Sequence, residues 1–398
     1  AAVTGMDVSK IKVTASEIGG GFGGKTTVYI EPVATVLARK SGRPVKIVMS
    51  REDVFRATGP VPGAETRVKM GATNDGKITA IEIDMLMDTG AFSTHQVLAA
   101  VLFGSACYRC ENIRSFGREV QTNKPRAYAY RAPGAPQPVL AVECVVNEIA
   151  QRLNMDPLDL RLMNAVDEGD VPVFGLPFQA IGLKKVLQEA RNHPNYQVAL
   201  QENQGRGVAA AFWINAGMQS SATIMVADDG GVNVLTGNPD IGGSRASMAL
   251  MAAEVLGVPV ETIRPAVVDT DSVGYCDVTG GSRTTLATGG AVIKAAEVLV
   301  NELRKRAAAL LGVAIEEVEW SDGRAVVHGG VGIEALHDRA NASGEKAAAE
   351  QGGRVLTLAE IAARAGATGG PLCAVASHNA HNAAPSFAVN ICDAEVDV

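Results

Sequence analysis

The chain has 398 residues, 47% of them hydrophobic and 20% charged, with 43 glycines, a composition that describes a globular, loop-rich protein with material for more than one core. Its formal net charge is -7 and no Lys/Arg cluster stands out, which excludes a nucleic-acid partner gripped through its phosphates. No apolar run approaches the roughly 20 residues needed to span a bilayer, and no secretory signal pattern opens the sequence, so a cytoplasmic protein without a membrane span is expected.

In chain order, Lys10 to Ala15 alternates polar and apolar residues, as a strand with one wet face does. The run Gly19-Gly20-Gly21-Phe22-Gly23-Gly24-Lys25 follows; a backbone with so few Cβ atoms can approach a ligand closely and present N–H groups to it. A helix beginning near Glu31, with Pro32 in its first turn, runs through Val33 to Lys40 and ends at Gly42. Pro44 to Met49 reads as a buried strand, and Ser50 caps a short helix with Glu52 and Asp53 in its first turn. Arg67 to Met70 and Ile78 to Leu86 alternate about Asn74-Asp75-Gly76, a hairpin signal. Val139 to Leu153 has helical spacing, and Asp156-Pro157 is an N-cap with proline at N1.

Polarity rises from Arg191 to Gly205, and the expected domain boundary falls there, giving domains of 1–195 and 196–398. In the second half, Gly207 to Ile214, Ala222 to Val226, Val232 to Leu235 and Ile263 to Val268 read as strands. Ser247 to Leu256 and Ala291 to Leu311 read as helices, Ser321-Asp322-Gly323 as a hairpin turn, and Leu358 to Arg364 as a short amphipathic helix. Strand and helix alternate without the regular rhythm of a doubly wound sheet, which predicts an α+β fold.

Gly19 to Thr26 also satisfies the P-loop pattern G-x-x-x-x-G-K-[ST], the mark of a nucleotide hydrolase. A P-loop needs a buried parallel strand before it and a helix starting at its lysine. The alternation of Lys10 to Ala15 and the position of Pro32 both oppose that reading. Of the six cysteines only Cys107 and Cys110 are close in sequence; without a second pair they read as structural, in a reducing compartment. His378 and His381 are a close histidine pair in a loop-like stretch, a weak pointer to a metal.

Three more segments are rich in backbone donors and turn residues: Ala129 to Gln137, Asn238 to Arg245, and Thr279 to Thr285. Each precedes a helix-like stretch, and a helix N-terminus behind Gly, Ser and Thr favours anions. Each alone is also an ordinary cap or turn; four on one chain point to a shared ligand.

Taken together, Gly19 to Lys25, the Ala-Tyr-Arg-x-x-Gly-x-Pro-Gln segment at 129 to 137, Asp240 to Gly243 and Thr279 to Ser282 resemble the molybdenum-binding subunit of the xanthine oxidase and aldehyde oxidoreductase family, over its central portion. The resemblance implies two elongated mixed α/β domains with a molybdopterin at their interface, in some members as the cytosine dinucleotide, and molybdenum held by the pterin dithiolene rather than by protein. It implies hydroxylation of an aldehyde or N-heteroaromatic substrate, with electrons leaving through 2Fe-2S and FAD centres on partner chains. By position, Gly20, Gly21, Phe22 and Gly23 would approach the metal, Phe22, Thr26 and Arg131 would line the substrate pocket, and Gly242, Gly243, Ser244, Arg245, Gly280, Gly281, Ser282, Arg283 and Thr284 would hold the pterin and its phosphates.

Three departures narrow the reading. Ala132 stands where the family's carbon monoxide dehydrogenases carry the cysteine that holds copper. Thr26 stands where purine hydroxylases carry a substrate-contacting glutamate, and Gly243 replaces a cofactor-contacting glutamine. The family's general-base glutamate is expected beyond Val398, so catalytic residues within this chain are none. The sequence thus reads as a piece that needs the remaining segments of the subunit to turn over; a non-catalytic cofactor carrier is the alternative.

Overall fold

A computed structural model describes residues 1–327, 354–381 and 384–397. Two compact units emerge, and the chain passes between them more than once: one contains Gly21–Asn215 with Ala383–Val398, the other Ala1–Gly20 with Ala216–Asn382. The expected boundary at 195/196 therefore falls inside a unit. The polar stretch that suggested it is a surface connection in the Gly21–Asn215 unit, where Arg206 reaches across to Asp393 at 2.6 Å. Polarity there marks an exposed loop, not the end of a core.

The Gly21–Asn215 unit opens with α1 (Glu31–Ser41) and α2 (Arg51–Ala57). Helix α1 carries proline in its first turn and closes on Gly42 at φ 66°, as a helix stopped by a left-handed residue does. Helix α2 begins with a reciprocal capping box between Ser50 and Asp53. Pro44–Met49, expected as a buried strand, joins no sheet and is exposed to half-buried. Strands β1 (Gly63–Ala72) and β2 (Ile78–Gly90) form the expected antiparallel hairpin, and β2 pairs in parallel with β3 (Ile113–Gln121). Helix α3 (Gln96–Phe103) makes the crossover. Alternate residues of β2, namely Ile81, Ile83, Met85 and Met87, are buried, each contributing about 1.5–3 kcal/mol of apolar burial.

Helix α4 (Pro136–Leu153) buries Val142, Val146 and Ala150 at four-residue spacing. Helix α5 (Pro157–Asn164) starts where Asp156 accepts from the Leu158 and Asp159 amides. After α6 (Leu183–Asn192), β4 (Gln204–Trp213) pairs antiparallel with the C-terminal strand Ser386–Glu395. Phe103, Phe174, Phe178, Phe212 and Phe387 pack ring against ring at 5.3–6.1 Å. Beside them lies a buried polar cluster: Arg161 donates through Nε and Nη2 to Glu143 Oε2 at 2.9 and 2.8 Å, and Tyr108 donates to Glu143 Oε1. Cys107 is buried in the same core, consistent with a structural role, and burial raises its thiol.

In the Ala216–Asn382 unit, β5 (Gln219–Val226), β6 (Val232–Thr236), β7 (Ile263–Val267) and β11 (Leu372–Asn379) make one sheet in the order β11-β5-β6-β7. Helix α7 (Ser244–Leu256) crosses between the parallel strands β6 and β7 and closes on Gly257 at φ 66°. Helix α8 (Gly289–Leu311) lays Val292, Ala295, Ala296, Leu299 and Leu303 into the core at helical spacing. A small antiparallel meander of β8 (Val318–Ser321), β9 (Arg324–Val327) and β10 (Arg354–Thr357) turns at the expected Asp322-Gly323. Among the described residues no helix is long and apolar enough to cross a membrane.

Candidate cofactor-binding site

Within the Gly21–Asn215 unit the glycine run and the Ala129–Gln137 loop lie against each other. Phe22 and Gly23 turn through φ 50° and 97°, and the Arg131 amide donates to the Phe22 carbonyl over 2.6 Å. A Cβ at position 23 would stand 3.0 Å from the Ala129 carbonyl oxygen, so the approach of the second loop dictates glycine there. The rings of Phe22 and Tyr130 are 6.4 Å apart. Phe22 is 60% exposed and Arg131 is exposed, placing both side chains where a ligand reaches them.

The second loop is bent by left-handed residues at Arg131, Ala132 and Gly134, with φ of 34°, 57° and 85°. At Gly134 a Cβ would come 2.2 Å from the Gln96 carbonyl oxygen. Gly134→Ala is therefore expected to lower stability by about 3 kcal/mol, from steric overlap added to left-handed strain. Thermal unfolding checks this; an unchanged midpoint would mean that this loop does not pack on α3.

Thr26 donates its hydroxyl to the Gly23 carbonyl at 2.8 Å. It also lines a cavity of about 590 Å³, with Gln96, Phe103, Tyr128 and Trp213 among the walls. Phe22 and Arg131, expected beside Thr26 in a substrate pocket, do not line that cavity. The contributions of α3 and β4 to it were missed from sequence, because those walls come from residues distant along the chain.

The Ala216–Asn382 unit brings three further segments together. Gly242 and Gly243 lead into α7 at φ 70° and 99°, and a Cβ on Gly242 would come 2.8 Å from the Gly19 carbonyl oxygen. Asp240 accepts from the Gly243 and Arg245 amides at 3.1 and 3.3 Å and from Ser244 Oγ and Arg245 Nε at 2.9 Å each. Burial opposes the charge on Asp240, but the bonds from Arg245 and Ser244 outweigh it and hold the carboxyl down at about 2. Arg245 also pairs with Glu17 at 2.8 Å. Its guanidinium, expected to grip a phosphate, is committed to these two carboxylates.

Asn238 ties this loop to the next one. Its amide donates to Thr279 Oγ1 at 3.0 Å, and its carbonyl accepts from Thr288 Oγ1 at 2.6 Å. Gly281 and Ser282 have φ of 68° and 60°. Arg283 corrects the sequence reading: the side chain is fully buried and donates to the carbonyls of Gly217 and Asp277 at 3.0 Å each, to Ser220 Oγ at 2.6 Å, and to the Gln219 carbonyl. Burial lowers its pKa. Arg283 is a brace for the loop, and Thr284 is buried beside it.

The P-loop alternative fails on the same geometry. Residues 11–18 form no strand of a sheet, and the helix begins only at Glu31, well past Lys25. Val13 instead makes an isolated pair of contacts with Thr270, whose amide donates to the Val13 carbonyl at 3.1 Å.

Each unit offers a donor set of its own. The main-chain N–H groups of Gly21, Phe22 and Gly23, and those of Gly280, Gly281 and Ser282, have no hydrogen-bond partner among the described residues. Amides of this kind suit a flat group rich in acceptors and carrying phosphate. Among the described residues no group of three or more His, Cys, Asp or Glu could hold a metal ion. The residues present fit a molybdopterin.

Residues 1–165 and 181–398 each match a family described as a molybdopterin cofactor-binding domain, and the chain belongs to that family. It is 33% identical over 324 residues to the xanthine dehydrogenase molybdenum-binding subunit of Escherichia coli O157:H7, covering 76% of this chain and 43% of that protein. It is 32% identical over 320 residues to the aldehyde oxidoreductase of Megalodesulfovibrio gigas, covering 76% of this chain and 35% of that one. The solved structure of reconstituted CO dehydrogenase from Oligotropha carboxidovorans superposes with a TM-score of 0.79 at 26% identity, over 98% of this chain and 51% of the other. The chain thus spans less than half the length of the curated relatives named here.

Proposed function

We propose that the chain is the cofactor-binding part of a molybdenum hydroxylase, an oxidoreductase that inserts water-derived oxygen into an aldehyde or N-heteroaromatic substrate. The observation that carries this reading is the set of unpartnered main-chain donors on loops bent by left-handed residues, in a chain of the molybdopterin-binding family. When bound, the molybdenum cofactor supplies the two-electron oxidation.

This chain's residues bind and orient. Gly21 to Gly23 in one unit, and Gly280 to Ser282 in the other, offer main-chain donors, whereas the Gly20 amide is given to the Ile18 carbonyl; Gly242, Gly243 and Ser244 add the N-terminus of α7, whose charge Asp240 and Arg245 balance between them; Thr284 packs beneath. Phe22, Thr26 and Arg131 meet the substrate. Thr26, a neutral hydroxyl already donating to the Gly23 carbonyl, supplies no carboxylate to a purine ring, which favours an aldehyde or a less polar heterocycle. Ala132 offers no thiolate, so a copper-bearing centre is not part of the proposal. Electrons pass to 2Fe-2S and FAD centres on partner chains in the cytoplasm, and the pterin is held either as the mononucleotide or as the cytosine dinucleotide.

The test is metal and pterin analysis of the protein isolated from its source. Molybdenum near one per chain, with pterin fluorescence after denaturation, is the expected result, and cytidine nucleotide after acid hydrolysis marks the dinucleotide form. Protein devoid of both molybdenum and pterin would overturn the reading.

A further inference from the structure

No residue from Ala1 to Val61 is buried, although every element from β1 onward in the Gly21–Asn215 unit feeds a dense core. The apolar content of residues 28–61 is nevertheless that of a core-building segment. On α1, Val33, Val36 and Leu37 occupy one face at i, i+3 and i+4 and are 52%, 42% and 44% exposed, the pattern of a helix that packs on something. Helix α2 has no buried residue and leaves Phe55 79% exposed.

Between these helices, Pro44–Met49 alternates in burial, with Val45, Ile47 and Met49 half-buried and Lys46 and Val48 exposed. Its main chain makes no hydrogen bond among the described residues. A run rich in β-branched residues, extended and alternating but without a neighbour, is a strand lacking its ladder. Unmade backbone bonds and bared valines are features a folded domain normally satisfies.

We propose that Pro44–Met49 is a docking edge for an extended polypeptide segment, which adds to it as a β-strand while its flanking residues cover the apolar faces of α1 and α2. The occupant is the remaining polypeptide of the molybdenum-binding subunit. The chain covers 43% of the similar E. coli subunit and 35% of the M. gigas protein, so proteins of this family carry ample further chain. Strand addition satisfies main-chain donors and acceptors in register, and the alternating Val45, Ile47 and Met49 fix which face of the incoming strand is apolar. The inference rests on the reading of the chain as part of that subunit, but not on cofactor being bound.

Amide hydrogen exchange followed by mass spectrometry tests it, on the 398-residue chain alone and within its native enzyme. The amides of Val45 to Met49 are expected to exchange quickly in the chain alone and at least 100-fold more slowly in the native enzyme. Fast exchange in both would overturn the proposal, as would protection in the chain alone accompanied by a dimer in sedimentation, which would assign the edge to a second copy. Phe55→Asp, read by the same exchange in the native enzyme, should restore fast exchange at Val45 to Met49 while α4 stays protected; protection unchanged in that variant would also count against it. Molybdenum content measured on the same native sample separates the two readings: protection without molybdenum leaves the docking edge standing and removes the proposed function.

Discussion

Arg161→Met is expected to cost the Gly21–Asn215 unit about 3–5 kcal/mol, the range for removing one partner of a buried ion pair. Arg161 is 0% exposed and its partner Glu143 only 5% exposed at the side chain. The guanidinium also donates to the carbonyls of Pro157 and Val208 at 2.9 and 2.8 Å, while Glu143 Oε2 accepts from the Ala210 amide at 2.6 Å. The cluster therefore joins α4, α5 and β4 at one point. Burial, followed by the Glu143 carboxylate, keeps the Tyr108 phenol well above its ordinary pKa, so it donates to Glu143 at neutral pH. Taking the guanidinium away leaves a carboxylate in a dry core with one phenol and one amide to hold it. The readout is the denaturant midpoint, and pairing the change with Glu143→Leu should recover much of the loss, because the isolated buried charge is then gone. A midpoint within 1 kcal/mol of the parent for Arg161→Met would mean that water reaches the cluster.

Nothing about residues 108, 143 and 161 singled them out in the sequence. Tyr, Glu and Arg at helical or loop positions are ordinarily surface residues, and only the return of β4 against α4 and α5 encloses them. The local elements, by contrast, were legible wherever the signal was itself local: Ser50 with Asp53, Asp156 with Pro157, Gly42 and Gly257 after their helices, Asn74 to Gly76 between alternating strands. Pro44–Met49 shows the limit of such reading. Its β character is correct in composition, but a strand is defined by its neighbour, and no described residue supplies one. The compact units are divided elsewhere than at 195/196, because the chain leaves one unit in mid-run, between Gly20 and Gly21, and returns after Asn215, at points where composition does not change.

At the candidate site the glycine positions were legible because their reason is steric and short-ranged, as Gly23 against Ala129 and Gly134 against Gln96 show. The arginines were not. A guanidinium in a Gly- and Ser-rich loop looks like an anion receptor, yet whether it faces a ligand or its own chain depends on carbonyls tens of residues away. Arg245 turned to Asp240 and Glu17, and Arg283 turned inward.

Arg283→Met should accordingly act as a stability lesion first and a binding lesion second. Its guanidinium satisfies three backbone carbonyls and the Ser220 hydroxyl, and leaving several such acceptors bare and buried is expected to cost about 3–5 kcal/mol in total. Lysine should not rescue it, since a single ammonium cannot reproduce the fork that spans Gly217, Gln219 and Asp277. The loss should begin locally: with the brace gone, Gly281 and Ser282 lose the fixed left-handed geometry that aims the amides of this loop, so hydrogen exchange in residues 279–288 should accelerate more than in α8. Cofactor content should fall in parallel in protein isolated from its source. Arg245→Met provides the contrast, because Glu17 is 71% exposed at the side chain and Asp240, though only 11% exposed, keeps its bonds from Ser244 and from the Gly243 and Arg245 amides; its stability cost should be smaller, about 1–2 kcal/mol. If Arg283→Met kept the parent midpoint yet lost cofactor, the side chain would be touching the ligand after all, and the bracing role would be wrong.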